Sequence, residues 1–207
     1  MPSGTKTWTR NEIEAMDRKQ RLKLVNALPG FKSANLVGTQ SRDGSDNLAV
    51  FSSCIHIGSN PALLGLIFRP DVVPRHTLAN IRETGAYTIN AIGDSFFEQA
   101  HRTSLKYEAD ESEFECVGLT PQIIEGHHAP CVRESPLKMC LSLCDEIPVP
   151  ANGTTLVVGA IEHVVLDQSE AQFDDGGLDL ERLGITAIGG IDQYYAPRFL
   201  KQMPYEK

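Results

Sequence analysis

Asn47-Leu48-Ala49-Val50-Phe51-Ser52-Ser53-Cys54-Ile55-His56-Ile57 is a run of β-forming residues that turns small and polar at Ser52-Ser53 and then resumes. Upstream, Ala34 to Thr39 has the same character, and Arg42-Asp43-Gly44-Ser45-Asp46 between the two is rich in turn formers. The spacing therefore predicts a β-hairpin whose second strand covers Leu48 to Ile57. Downstream, Asn60-Pro61 opens the nearly continuous apolar run Ala62 to Phe68, the pattern of a strand buried on both faces, and Arg69 ends it. Tyr87 to Ile92 is a further strand. Leu137 to Ile147 and Thr155 to Asp167 flank Asn152-Gly153, a dipeptide suited to a tight hairpin turn. Strands dominate, and no glycine-rich turn joins a strand to a long helix. A Rossmann domain is thus disfavoured, and the expectation is a mainly β fold, an antiparallel barrel decorated with short helices.

The helices are read from their caps. Thr9 and Glu12 have capping-box spacing, with Trp8 and Ile13 placed as a hydrophobic staple, so one helix is predicted from there to about Leu24. A second should run from Thr77, capped by its own hydroxyl, to Thr84, where Gly85 supplies a left-handed stop. Ser95 with Glu98, and Ser112 with Glu115, suggest two more capping boxes, the last helix being closed by Gly118.

The 207 residues are 41% hydrophobic and 22% charged, enough apolar material for a core and too much for a disordered chain. A single domain over 1–207 is expected. Lysine and arginine total 19 against 27 acids, a formal charge of -8, which argues against nucleic acid or an anionic membrane surface as a partner. No stretch approaches the roughly 20 apolar residues of a membrane span, and Met1 to Gln20 lacks the apolar centre of a signal peptide, so a cytoplasmic protein is expected. Five cysteines (Cys54, Cys116, Cys131, Cys140, Cys144) form no C-x-x-C pair, and neither a disulfide framework nor a zinc site is supported. Cys140 and Cys144 would lie roughly 13 Å apart along a regular strand, too far to bridge, and are expected as core thiols. Adjacent His127 and His128 would face opposite sides of an extended chain, so no metal is assigned. No G-x-S-x-G or H-E-x-x-H motif is present.

Two windows could carry chemistry. Arg69, Arg75, His76 and Thr77 gather beside a helix start on an otherwise acidic chain. They read either as a phosphate cradle, since guanidinium forks bind phosphate oxygens bidentately, or as solvated charge beside an ordinary threonine cap. The break at Ser52-Ser53 could expose backbone amides to a flat heterocycle, or it could be two serines on the wet face of a hairpin.

Taken in order, Asn47 to Cys54, Ser59-Asn60-Pro61 leading into Leu63 to Arg69, Arg75-His76-Thr77 with Asn80-Ile81, and Thr84-Gly85-Ala86-Tyr87-Thr88-Ile89-Asn90 resemble the flavin reductase-like family with its FMN-binding split barrel. Thr103-Ser104-Leu105-Lys106-Tyr107, Ser112 to Glu115, Gly118-Leu119-Thr120, Ala129-Pro130 and Glu134-Ser135-Pro136 continue the likeness, which covers roughly Leu24 to Tyr195. The resemblance implies a Greek-key antiparallel split barrel with FMN against Asn47 and Phe51, Ser52, Ser53 and Cys54. It places the phosphate around Arg69, Arg75, His76 and Thr77, with Thr103, Ser104 and Lys106 approaching the same flavin. Where the family often has lysine, this chain has His76, so part of the phosphate charge would depend on its protonation. The likeness further implies a homodimer, with Tyr194, Tyr195 and the tail near the partner's site.

The activity implied is transfer of hydride from NADH or NADPH to FMN, and of electrons onward to free flavin, oxygen, ferric iron or an acceptor protein. No catalytic side chain is assigned, because the flavin carries the redox chemistry and the protein stacks and orients the reactants. The alternative is a non-enzymatic FMN-binding electron carrier without a pyridine-nucleotide site. A barrel that has exchanged FMN for another phosphorylated heterocycle is a third reading.

Overall fold

The computed structural model describes residues 4–70, 76–107 and 111–204. Strand accounts for 38% and helix for 20%, as the mainly β expectation requires. Seven strands form the principal sheet: β1 Asn35–Gln40, β2 Asp46–Phe51, β3 Cys54–Ser59, β4 Ala62–Phe68, β5 Ala86–Ala91, β6 Leu137–Val149 and β7 Thr154–Leu166. Every pairing is antiparallel, and the order across the sheet is β2-β1-β5-β6-β7-β4-β3.

That order forces the sheet to roll. Its two edges, β2 and β3, are consecutive in the chain and separated only by Ser52 and Ser53. Three Cα–Cα steps reach at most about 11 Å, whereas the edges of a flat seven-stranded sheet would stand about 29 Å apart at the usual strand spacing. The edges must therefore meet at this corner, which the chain crosses without joining β2 to β3 by a ladder. The result is a barrel split along one seam. The single strand expected over Leu48 to Ile57 is corrected here: the serines divide it into two strands at opposite ends of the sheet.

The core has two sides. Neighbouring residues of β1 point to opposite faces, as strand geometry requires. Val37 joins Leu66, Phe68, Leu78, Ile81, Tyr87, Ile89, Leu141 and Val157 in one cluster. Leu36 joins Leu48, Ile92, Phe96, Phe114, Val117 and Ile188 in the other. The first lies beneath helix α3 (His76–Thr84), whose Leu78 and Ile81 enter it. The second is covered by α4 (Phe97–Arg102) and α5 (Glu113–Val117). In β4 only the second half is deeply buried. Ala62, at the start of the strand, is exposed and Leu63 and Leu64 only half-buried, so burial on both faces holds for part of that run.

Several local expectations hold. Thr9 and Glu12 form the capping box, Gly85 and Gly118 adopt positive φ (72° and 73°), and β6 and β7 make a long hairpin across Asn152-Gly153. Others are corrected. The first helix breaks at Met16, and Asp17 caps a second one, so α1 (Arg10–Ala15) and α2 (Arg18–Ala27) replace a single rod. Thr77 lies inside α3 and its hydroxyl accepts a buried hydrogen bond from Asn47, so it is not the cap. The Ser95–Glu98 box does not form, since Phe96 takes the N-cap position without a side-chain bond. Ser112 sits at the N-cap of α5 with its hydroxyl unused there, while the Glu113 carboxylate accepts from the Leu48 amide of β2 at 3.1 Å. Short strands Lys32–Ser33, Ala187–Gly189 and Gln193–Tyr195 make a small separate sheet that pins the C-terminal segment beside the start of β1.

Candidate functional site

Ser52 and Ser53 sit where the barrel edges converge. Outside the strand ladders, neither amide donates a backbone hydrogen bond to a described residue. The Ser53 hydroxyl donates to the carbonyl oxygen of Ile67 at 2.9 Å, which fastens the corner to the end of β4. Phe51 packs on Phe68 with ring centroids 4.9 Å apart, and Cys54 pairs with Leu66 across β3 and β4. Each of these partners belongs to the last three residues of β4 and the next residue is Arg69, so the serine corner and the arginine are drawn into one region by the fold.

Arg69 is exposed, and no described carboxylate pairs with it. A second link, beside the β1–β2 turn at the other end of β2, ties α3 to the barrel. The buried amide of Asn47 donates through Nδ2 to Thr77 Oγ1 at 3.0 Å and to Thr39 Oγ1 at 3.2 Å, and Asn80 Nδ2 donates to that same Thr39 oxygen at 3.2 Å. His76, the first residue of α3, is exposed beside this network, and Arg75 lies outside the described residues. The structure thus gathers Phe51, Ser52, Ser53, Cys54 and Arg69 around one corner, whereas Asn47 and Thr77 are joined to each other at the opposite end of β2. Asn47 and Thr77 are nearly inaccessible (7% and 6% exposed), which makes them supports rather than surface ligands.

Thr103, Ser104 and Lys106 follow α4 on the opposite face of β2. The Thr103 hydroxyl donates to Ala100 O at 2.9 Å and the Ser104 hydroxyl to His101 O at 2.7 Å, closing the helix end, while Lys106 is exposed. No hydrogen bond among the described residues ties these three to the serine corner. Tyr194 packs on Phe97, and its hydroxyl lies 3.2 Å from His101 Nδ1. Burial pushes that phenol up to about 12.

Burial raises the Cys54 thiol to about 11, which keeps it neutral beside the corner. The Tyr87 hydroxyl is buried with no hydrogen-bond partner among the described residues, and burial likewise pushes it up. Cys144 is exposed and not the core thiol expected from the strand pattern. Cys140 is buried with its sulfur 3.8 Å from that of Cys131, a proximity that eight intervening residues concealed. Sequence reasoning also missed Thr39, the shared acceptor under Asn47 and Asn80, because a threonine in a strand carries no positional signal. Among the described residues no cluster of histidine, cysteine or carboxylate side chains has the geometry of a metal centre, and no helix is long and apolar enough to cross a membrane.

The donor set suits a flat heteroaromatic ring bearing a phosphate. Amides outside the ladder suit a polar ring edge, a guanidinium with no ion pair among the described residues suits a phosphate, and the neutral thiol adds no competing charge.

Comparison with known proteins points the same way. Residues 31–178 match the model of the flavin reductase like domain. A structure from Shewanella frigidimarina described as a flavin reductase with a split barrel domain is 45% identical, covering 98% of this chain and 100% of that one with a TM-score of 0.94. The flavoredoxin of Desulfovibrio vulgaris (Miyazaki F) is 27% identical over 84% of this chain and 91% of its own, TM-score 0.73. Nitrilotriacetate monooxygenase component B from Bacillus cereus, at 19% identity, shares the fold over 97% of this chain and all of its own, TM-score 0.84.

Proposed function

The chain belongs to the flavin reductase-like family, a family of flavin-related oxidoreductases, and we propose that it binds FMN at the serine corner and passes hydride to it from NADH or NADPH. The observation that carries this reading is the corner itself, where two amides outside the ladder lie in the same region as an exposed arginine that has no ion pair among the described residues. Hydride acceptance and onward electron transfer would be supplied by the flavin.

The residues of this chain bind and orient. Arg69 and His76 would face the phosphate, with Arg75 between them in sequence, and the amides of Ser52 and Ser53 would face the polar edge of the ring. Phe51, fixed by Phe68, and Cys54, fixed by its pairing with Leu66, keep that edge in place. Hydride transfer needs alignment more than proton exchange, which fits a corner without an acid–base pair. The electrons would then go to free flavin, oxygen, ferric iron or an acceptor protein. The homodimer suggested by the sequence is supported by the exposed apolar side chains Phe199, Leu200 and Met203 near the C-terminus.

The second reading, an FMN-binding electron carrier, is favoured by the similarity to flavoredoxin. An anaerobic visible spectrum separates the two. The protein is mixed with FMN, then with NADH, then with NADPH. Perturbed flavin bands that bleach quickly with either nucleotide support the reductase. Bound flavin that stays oxidised with both supports the carrier, and the absence of flavin binding refutes both.

A further inference from the structure

Arg18, Arg21, Leu22, Val25 and Asn26 of α2, together with Arg69 at the end of β4, line an open cleft of about 460 Å3. The α2 positions fall at i, i+3, i+4, i+7 and i+8, one face of a helix. Core packing does not explain that face. No residue of α2 is buried, and Leu22 and Val25 remain 42% and 46% exposed. The helix is anchored instead by Lys23, outside that face, to Asp192 at 2.9 Å and by the main-chain carbonyl of Asn26, which accepts from Lys32 at 3.0 Å.

The charge in this cleft is also unexplained by the fold. Neither Arg18 nor Arg69 makes an ion pair or hydrogen bond with any described residue, and none of the three arginines meets a described carboxylate. Arg21 donates only through Nη1, to the carbonyls of Glu14 and Met16 at 2.8 and 3.1 Å, leaving the rest of its fork free. Asp17, the acid next to Arg18, directs its carboxylate to the amides of Lys19 and Gln20. Three guanidiniums thus share one cleft on a chain of net charge -8, with no described carboxylate to offset their repulsion.

An apolar floor rimmed by guanidinium forks complements a phosphate ester attached to a flat base. A free inorganic anion would leave Leu22 and Val25 unused, and the acidic balance of the chain disfavours a lipid surface. We propose that this cleft binds nucleotide phosphate, with Arg18 and Arg21 holding from α2 what Arg69 holds from the barrel. The N-terminal helix is then part of the nucleotide site. This rests on the reading above insofar as Arg69 serves both. The phosphate ester can come from FMN or from the pyridine dinucleotide, and the experiment distinguishes them.

The test uses the full-length protein and Arg18→Glu, with Arg18→Ala/Arg21→Ala as a second variant. Because Arg18 makes no bond within the described chain, its reversal should leave the circular dichroism spectrum and melting temperature unchanged. FMN and riboflavin are titrated by fluorescence, and KM and kcat for NADH and NADPH are measured at saturating FMN. A tenfold or greater loss of FMN affinity with riboflavin unaffected assigns the cleft to the flavin phosphate. A tenfold rise in KM for either dinucleotide at unchanged kcat assigns it to the dinucleotide. Values all within twofold of wild type in both variants overturn the proposal. Titration with ADP by calorimetry provides a flavin-independent arm. If wild-type protein binds no flavin, the functional reading fails while the cleft is still tested. In that case ADP binding weakened tenfold by Arg18→Glu supports the cleft, whereas ADP binding that is absent or unaltered refutes it.

Discussion

Asn47 Nδ2 stands 3.0 Å from Thr77 Oγ1, so a side chain of β2 and one of α3 are joined by a hydrogen bond that is almost wholly withdrawn from water. Thr39 completes the network as acceptor for both Asn47 and Asn80. The bond couples the strand that ends at the serine corner to the helix that begins with His76. Truncating one member leaves buried polar atoms without partners, which costs about 1–3 kcal/mol. Asn47→Ala and Thr77→Val should each lower the unfolding free energy obtained from urea melts by that amount. The double variant should cost less than the sum, because both changes remove the same bond. Strict additivity would show that the two side chains act independently.

How much of this was legible beforehand depended on the range of the signal. The serine break, the Asn152-Gly153 hairpin and the glycine stops at Gly85 and Gly118 are local backbone requirements and were visible in the sequence. The separation of β2 from β3 to opposite sheet edges was not, because a two-residue interruption within a β-like run looks the same whether the chain continues straight or turns a barrel corner. The Ser95–Glu98 box failed for a related reason: Phe96 is drawn into the core and takes the cap position, overriding a weak local preference. The convergence of Arg18 and Arg21 on Arg69 joins positions about fifty residues apart and leaves no trace in composition.

Gly159 in β7 faces Tyr87 so closely that an added Cβ would fall 2.1 Å from the phenol oxygen and 2.8 Å from Cζ. Gly159→Ala must displace a ring that is fully buried, and overpacking of this kind costs about 1–3 kcal/mol. Tyr87→Phe acts in the opposite direction. Its hydroxyl has no partner among the described residues, so its removal should leave stability unchanged or raise it by about 1 kcal/mol. Introducing Tyr87→Phe into Gly159→Ala should recover part of the loss. Denaturant melts of the four proteins check all three statements, and a destabilised Tyr87→Phe would reveal a partner for the hydroxyl.

Burial holds the Cys54 thiol up to about 11, so at neutral pH it is a packed, protonated group and not a nucleophile. With iodoacetamide at pH 7.5, mass spectrometry should find exposed Cys144 modified first and Cys54 only slowly, with buried Cys131 and Cys140 protected. The rate at Cys54 should climb close to tenfold per pH unit until the chain unfolds. The thiol is raised from an ordinary value near 9, so the native state holds the proton more tightly than the unfolded one. Its contribution to stability is therefore complete below pH 9 and declines between 9 and about 11. Rapid labelling of Cys54 at pH 7.5 would contradict this.

His127 supplies an acid-side counterpart. Its ring is half-buried, with Nε2 3.2 Å from the carbonyl oxygen of Tyr87, so the neutral ring donates from Nε2. Desolvation lowers its pKa below the usual 6.5. The carbonyl and Glu162 oppose that shift, and His163 and His128 add small contributions in the same direction as burial. A histidine depressed in the native state binds fewer protons there than in the unfolded chain between the two pKa values. Stability must therefore rise with pH across that interval and fall as the solution is acidified from about pH 7, levelling off below the native pKa. One proton limits the slope to about 1.4 kcal/mol per pH unit. His127→Gln can donate an amide to the same carbonyl and does not titrate. The melting temperature of wild type relative to this variant should drop between pH 7 and pH 5, and parallel curves for the two proteins would show that His127 is not strained by its burial.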